Sequence, residues 1–212
     1  MSRLGQIFSG ALALMVVAAP ALAANKQVEA GKLFSHYDNY LKLPAAERSH
    51  FTMAFYLRSG DAPLTAPVWL LEGDRRIPIP LRADGRVERL PTLAQLSADK
   101  VEIGVDAAAK VGLTLGLEPV VAPATDLDAR ELAAAIAQAG PGMKKIAGIM
   151  AMALPEPKAV LFVGAPSGEA ELADGRRAPL PLVKGWPAYN PATLANVRRI
   201  HLAKAPLKLD ID

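Results

Sequence analysis

Leu71-Glu72-Gly73-Asp74-Arg75-Arg76-Ile77-Pro78-Ile79-Pro80-Leu81 comes back later in the chain as Leu172-Ala173-Asp174-Gly175-Arg176-Arg177-Ala178-Pro179-Leu180-Pro181-Leu182. In each copy a Gly/Asp pair makes a turn, two arginines follow it, and a Pro-x-Pro strand ends on leucine. Successive residues of a strand point their N–H and C=O groups to opposite neighbours. Prolines two apart therefore remove two donors from the same side, so Pro78 with Pro80, and Pro179 with Pro181, mark edge strands. The recurrence predicts two related β-modules.

The flanking pattern is similar around both copies. Phe51, Met53, Phe55 and Leu57 alternate with Thr52, Ala54 and Tyr56, the period of a strand. Val68–Leu71 and Ile77–Leu81 form a hairpin around Gly73-Asp74, Pro91 opens a short helical turn, and strands follow at Val101–Val105 and Val111–Leu117. The second copy has strands at Ala159–Val163, Ala170–Leu172 and Ala178–Leu182, a Lys184-Gly185 turn, and closing strands at Arg199–Ala203 and Leu207–Ile211. Helical spacing is expected from Asn25 to Leu43. A second helix is expected from a Thr125 N-cap to Ala139, stopped by Gly140-Pro141-Gly142, and an apolar helical stretch from Met143 to Leu154. The predicted fold is α+β, mainly antiparallel β: two related β-modules with an N-terminal helix and a helical connector. Its divisions are a signal peptide at 1–24, the N-terminal helix and first β-module at 25–123, the connector at 124–157 and the second β-module at 158–212.

Arg3, the apolar run Ile7–Ala19 and Ala21-Leu22-Ala23 give the three parts of a cleaved secretory signal. That run is shorter than the roughly 20 residues of a spanning helix, and the mature chain is expected to carry no transmembrane segment and to be periplasmic or secreted. The chain has no cysteine, which excludes disulfides, thiolate metal sites and a cysteine nucleophile. Its formal charge of +3 falls by one with Arg3, too small a surplus to suggest nucleic acid as a partner.

No catalytic, cofactor or metal residue is singled out. The three histidines, His36, His50 and His201, and the serines fall in none of the hydrolase or metalloprotease motifs. Asp126-Leu127-Asp128 reads as helix N-terminal charge. Candidate contacts for a partner or an anion are Arg75, Arg76, Arg176 and Arg177, whose guanidinium forks suit carboxylate or phosphate, together with Trp186 and Tyr189 in a Trp-Pro-Ala-Tyr loop. Candidate residues of an apolar pocket between the modules are Ile146, Ile149 and Met150, methionine being adaptable to varied ligands.

Ala173-Asp-Gly-Arg-Arg-Ala-Pro-Leu-Pro181, followed by Gly185-Trp-Pro-Ala-Tyr189, resembles the C-terminal part of small exported proteobacterial proteins of unknown function. The resemblance implies an envelope setting and carries no activity or ligand. The leading functional reading is a non-enzymatic structural or interaction module whose partner is an unidentified envelope component. The alternative is a carrier of a small apolar or amphipathic ligand between the modules, and the third reading a hydrolase with dispersed carboxylates.

Overall fold

The computed structural model describes residues 25–98, 101–106, 111–148 and 155–212. The expected signal segment and residues 149–154 of the connector lie outside them. The fold is α+β and mainly antiparallel β.

The N-terminal part runs β1 (Asn25–Glu29), α1 (Ala30–Leu33), α2 (Tyr37–Lys42), a 3-10 turn (Ala45–Arg48), β2 (Phe51–Ser59), β3 (Ala62–Pro63), β4 (Val68–Glu72), β5 (Arg75–Ile79), α3 (Leu93–Leu96), β6 (Val101–Asp106) and β7 (Val111–Pro119). The C-terminal part runs β8 (Asp126–Asp128), α4 (Ala129–Ala147), β9 (Val160–Val163), β10 (Gly168–Leu172), β11 (Arg177–Pro179), β12 (Leu182–Val183), β13 (Trp186–Tyr189), β14 (Val197–Leu202) and β15 (Lys208–Ile211). One sheet has the order β1-β6-β4-β5 and another β8-β14-β10-β11. In both, the strand before the main helical segment pairs with a late strand, which pairs with the repeated hairpin. A second pairing also matches, β2 with β7 and β9 with β15, antiparallel in each case. The likeness of order therefore reaches back to β1 and β8, ahead of the strands that first suggested it.

The two Pro-x-Pro strands, β5 and β11, are each the last strand of their sheet. Pro78 lies opposite Trp69, and its outward carbonyl accepts a hydrogen bond from Arg89 at 2.6 Å. The edge turns in at Pro80, whose carbonyl accepts the Glu88 N–H at 3.0 Å, as Pro181 accepts that of Ala188 at 2.9 Å.

Three helical expectations need correction. Asn25–Leu43 is not one helix: Asn25–Glu29 pairs with β6, and His36, in the left-handed region at φ 67°, separates α1 from α2. Thr125 is not the cap of the long helix either. Asp126–Asp128 pairs with β14, Leu127 facing inward between two exposed aspartates, and Asp128 caps α4 by accepting the Arg130 N–H at 2.8 Å.

Nor does Gly140-Pro141-Gly142 end the helix. Alpha-helix α4 continues through Pro141 to Ala147 and stops at Gly148, which has φ 56°. Pro141 removes one backbone donor, but the inward face carries on past it with Ala135, Ile136, Ala139, Gly140, Gly142 and Ile146 all buried. Packing prevails over the local stop signal. That face rests on β2 and β7 on one side and on β14 and β15 on the other. One apolar cluster joins Phe51, Phe55 and Ile103 to Leu132 and Ile136 of α4 and to Val160, Phe162 and Ile200.

The helix comes close because Gly142 has no side chain. A Cβ there would stand 2.5 Å from Cζ and 2.9 Å from Cε1 of Phe51, which is fully buried. Gly142→Ala gains about 1 kcal/mol of helix propensity but overpacks Phe51, so the expected net change is a loss of about 1–2 kcal/mol. Gly112→Ala, where an added Cβ meets nothing within 4 Å, should stay within about 0.5 kcal/mol of the parent. Urea denaturation of both variants checks the contrast.

Candidate functional site

On strand β2 both faces are covered, since Met53, Ala54, Phe55, Tyr56 and Leu57 are all buried. The second face carries Thr52, Ala54 and Tyr56, which lie opposite Glu118, Gly116 and Thr114 of β7. It is covered by β15, which packs against β7. The cover is close at Gly116, where a Cβ would meet Asp210 Oδ1 at 3.4 Å and Tyr56 Cε2 at 3.5 Å.

A polar cluster is built on this covered face. The Tyr56 hydroxyl donates to Oε1 of Glu118. Arg86 donates to Oε2 of Glu118 from Nε at 3.1 Å and contacts it through Nη2 at 2.8 Å. Arg86 reaches this position because the 82–87 turn lies along β2: Leu57 N–H bonds the Gly85 carbonyl and Val87 N–H bonds the Phe55 carbonyl, at 2.9 and 2.8 Å. Gly85 makes that approach possible, having φ 84° and no Cβ to collide with the Leu57 carbonyl. From the C-terminal part, Lys208 places Nζ 4.7 Å from the Tyr56 ring centroid and 3.5 Å from Asp210.

The electrostatics follow from burial. Desolvation, then the hydrogen bond and charge of Glu118, push the Tyr56 hydroxyl well above its ordinary value near 10. Desolvation also raises the Asp210 carboxyl against the opposing pull of Lys208.

Beside this cluster opens a cleft of about 490 Å³ lined by Tyr40, Thr52, Arg82, Arg86, Glu118, the segment Pro119–Pro123, and Leu207, Lys208 and Leu209. Both parts of the chain contribute walls. Val120 and Leu207, at 58% and 64% exposure, stand on it from opposite parts and are among the most exposed large apolar residues described. Glu118 is the only carboxylate among the described lining residues, and its two oxygens are engaged by Tyr56 and Arg86.

The residues singled out by sequence lie elsewhere. Arg75 approaches Glu72 at 3.8 Å, and Arg76 lies over the Trp69 ring at 4.3 Å from its centroid. Both border a depression shared with Asp74 and Glu102. Arg176 bonds Asp174 at 2.7 Å, and Arg177 reaches Glu169 and Glu171 at 3.5 and 3.9 Å on the β8-β14-β10-β11 sheet. Trp186 and Tyr189 belong to β13, Trp186 at its exposed end and Tyr189 buried. Ile146 is buried in the common core, and its carbonyl accepts a hydrogen bond from Asn39 at 3.0 Å. Ile149 and Met150 lie outside the described residues.

His201 holds Nδ1 2.9 Å from Asp126 and Nε2 2.8 Å from Glu171. This ties β8, β14 and β10 together and commits both ring nitrogens. The Arg199 hydrogen bond lowers the Asp126 carboxyl, and the His201 contact lowers that of Glu171. Among the described residues no group of three or more His, Asp or Glu is placed to hold a metal ion, and no helix is long and apolar enough to cross a membrane.

Sequence reasoning missed Tyr56, Arg86, Glu118 and Lys208, which are far apart in the chain. The one local signal was Tyr56, a large polar-tipped residue alternating with the bulky apolar side chains of its strand. No protein-family model, curated protein or solved structure matches the chain.

The raised Tyr56 hydroxyl makes a pH prediction. A group whose folded pKa exceeds its unfolded value stabilises fully below the unfolded value and loses that contribution as pH rises above it. Tyr56 therefore stabilises the fold up to about pH 10 and progressively less beyond. Tyr56→Phe should cost about 1–2 kcal/mol at neutral pH through the lost bond to Glu118. Its stability should then decline less steeply than the parent's above about pH 10. Urea denaturation across an alkaline pH series checks it; parallel declines would contradict it.

Proposed function

We propose that the protein is an exported, non-enzymatic binding module, assembled from two copies of one β-rich motif, that holds a small amphipathic ligand in the cleft where the copies meet. Export is supported by the leader-like pattern of Arg3, Ile7–Ala19 and Ala21-Leu22-Ala23. Duplication is supported by the returning Arg-Arg-x-Pro-x-Pro-Leu phrase and by the matched sheet orders β1-β6-β4-β5 and β8-β14-β10-β11.

The observation that carries the binding reading is the cleft itself. At about 490 Å³ it falls in the roughly 300–1,000 Å³ range of small-ligand sites. It sets apolar side chains from both parts against a few convergent polar ones. A holding role is favoured over hydrolysis because Glu118, the carboxylate in the described lining, already accepts from Tyr56 and Arg86. A general base needs an oxygen free to reach a substrate proton.

The test uses anilinonaphthalene sulfonate, an amphipathic dye that brightens in apolar surroundings. The mature protein should bind it saturably. Val120→Ser combined with Leu207→Ser, both at exposed positions, should weaken binding at least about tenfold by removing apolar wall. Absence of binding, or binding unchanged in the double variant, would contradict a ligand site in this cleft.

A further inference from the structure

We infer that the ligand of this cleft is a single-chain anion, its carboxylate or phosphate end held by Arg82 and Lys208 and its apolar end lying along Val120, Val121 and Leu207. The inference rests on the binding reading and adds the charge and polarity of what is bound.

The charge balance of the lining comes first. Among the described lining residues three cations face the cleft, Arg82, Arg86 and Lys208, against the single carboxylate of Glu118. That carboxylate is consumed by Arg86 in a paired contact, and Tyr56 donates to its other oxygen. Arg86 and Glu118 thus neutralise one another and form a fixed floor. Lys208 rests over the Tyr56 ring and makes one long ion pair with Asp210, at 3.5 Å. The side chain of Arg82 has no hydrogen bond or ion pair with any described residue, and Arg82 is exposed at the cleft. Two cations from different parts of the chain therefore border the cleft, Arg82 with no described side-chain partner and Lys208 with Asp210, and among the described lining residues Glu118 is the only carboxylate. Such a guanidinium–ammonium pair favours an oxyanion, the guanidinium offering a fork and the ammonium a mobile point charge.

Polarity distinguishes this site from a simple anion patch. The wall beyond the cations is Pro119-Val120-Val121-Ala122-Pro123 on one side and Leu207 and Leu209 on the other. Val120 and Leu207 are mostly exposed, which leaves aliphatic surface on both sides of the cleft open to an apolar ligand. A cationic end continuous with an aliphatic wall is complementary to an anion bearing one hydrocarbon chain. The depression beside Arg75 and Arg76 lacks this character, since Asp74 and Glu102 border it with those arginines.

The experiment displaces the bound dye with four eight-carbon amphiphiles that differ only in their head: octanoate, octyl phosphate, octyl glucoside and octyltrimethylammonium, each below its micelle threshold. Octanoate, octyl phosphate or both should displace at least about tenfold better than the glucoside, the worth of one charge-assisted bond, and the ammonium worst of all. Preference for octanoate identifies a free carboxylate as the class of ligand, and preference for octyl phosphate a phosphate headgroup. Arg82→Gln with Lys208→Met should abolish the anion preference while leaving the glucoside unchanged. Arg82→Gln alone, at an exposed position, should reduce that preference and serves where the double variant fails to fold. Equal displacement by all four heads, or anion preference intact in Arg82→Gln and in a folded double variant, would overturn the inference and leave the cleft as an apolar site. Failure of the dye to bind would instead remove the binding reading on which it rests.

Discussion

Helix α4 has to lie against both β-rich parts at once, and its small-residue face is what allows it. Ala135, Ala139, Gly140 and Gly142 are buried in succession, and Gly142 lets the backbone approach the ring of Phe51 at the start of β2. From there the same face meets β14 and β15. A bulkier stripe would push the helix outward and open the apolar cluster that joins Phe51 and Phe55 to Phe162 and Ile200. Close packing of this kind tolerates little added volume. The placement of β15 beside β7 depends on that contact, and so does the cleft at their ends.

The covered side of β2 and β7 then needs internal partners for its polar groups. Glu118 is the one buried charged residue described, and Arg86 and Tyr56 supply its hydrogen bonds. A buried pair of this kind contributes less to stability than to geometry, because desolvation offsets much of the attraction. What it fixes is position. Arg86 is locked against Glu118, Tyr56 is kept neutral, and Lys208 is drawn over the aromatic ring from the other part of the chain. These contacts define one side of the cleft without using Arg82.

Much of the sheet architecture was legible because it is governed by local rules. The turns at Gly73-Asp74 and Lys184-Gly185, the alternation from Phe51 to Leu57 and the paired prolines each declare themselves within a few residues. The helices were less legible where tertiary packing opposed a local signal. Pro141 lies inside α4 because the buried face on either side of it outweighs one missing donor, and Asp126–Asp128 is a strand because β14 offers it an edge. The candidate site was least legible. Its members come from β2, the 82–87 turn, β7 and β15, and no spacing reveals that β15 covers Tyr56. The repeated arginines drew attention instead, yet Arg76 packs on Trp69 and Arg176 bonds to Asp174 of its own turn.

If α4 truly divides its buried face between the two parts, neither part keeps a complete core without the other. Differential scanning calorimetry of the protein tests this most directly. The account predicts one reversible transition whose calorimetric enthalpy equals its van't Hoff enthalpy, the mark of a single cooperative unit. Two separable transitions would contradict it, since each part would then fold around a core of its own and the cleft between them would have no fixed shape.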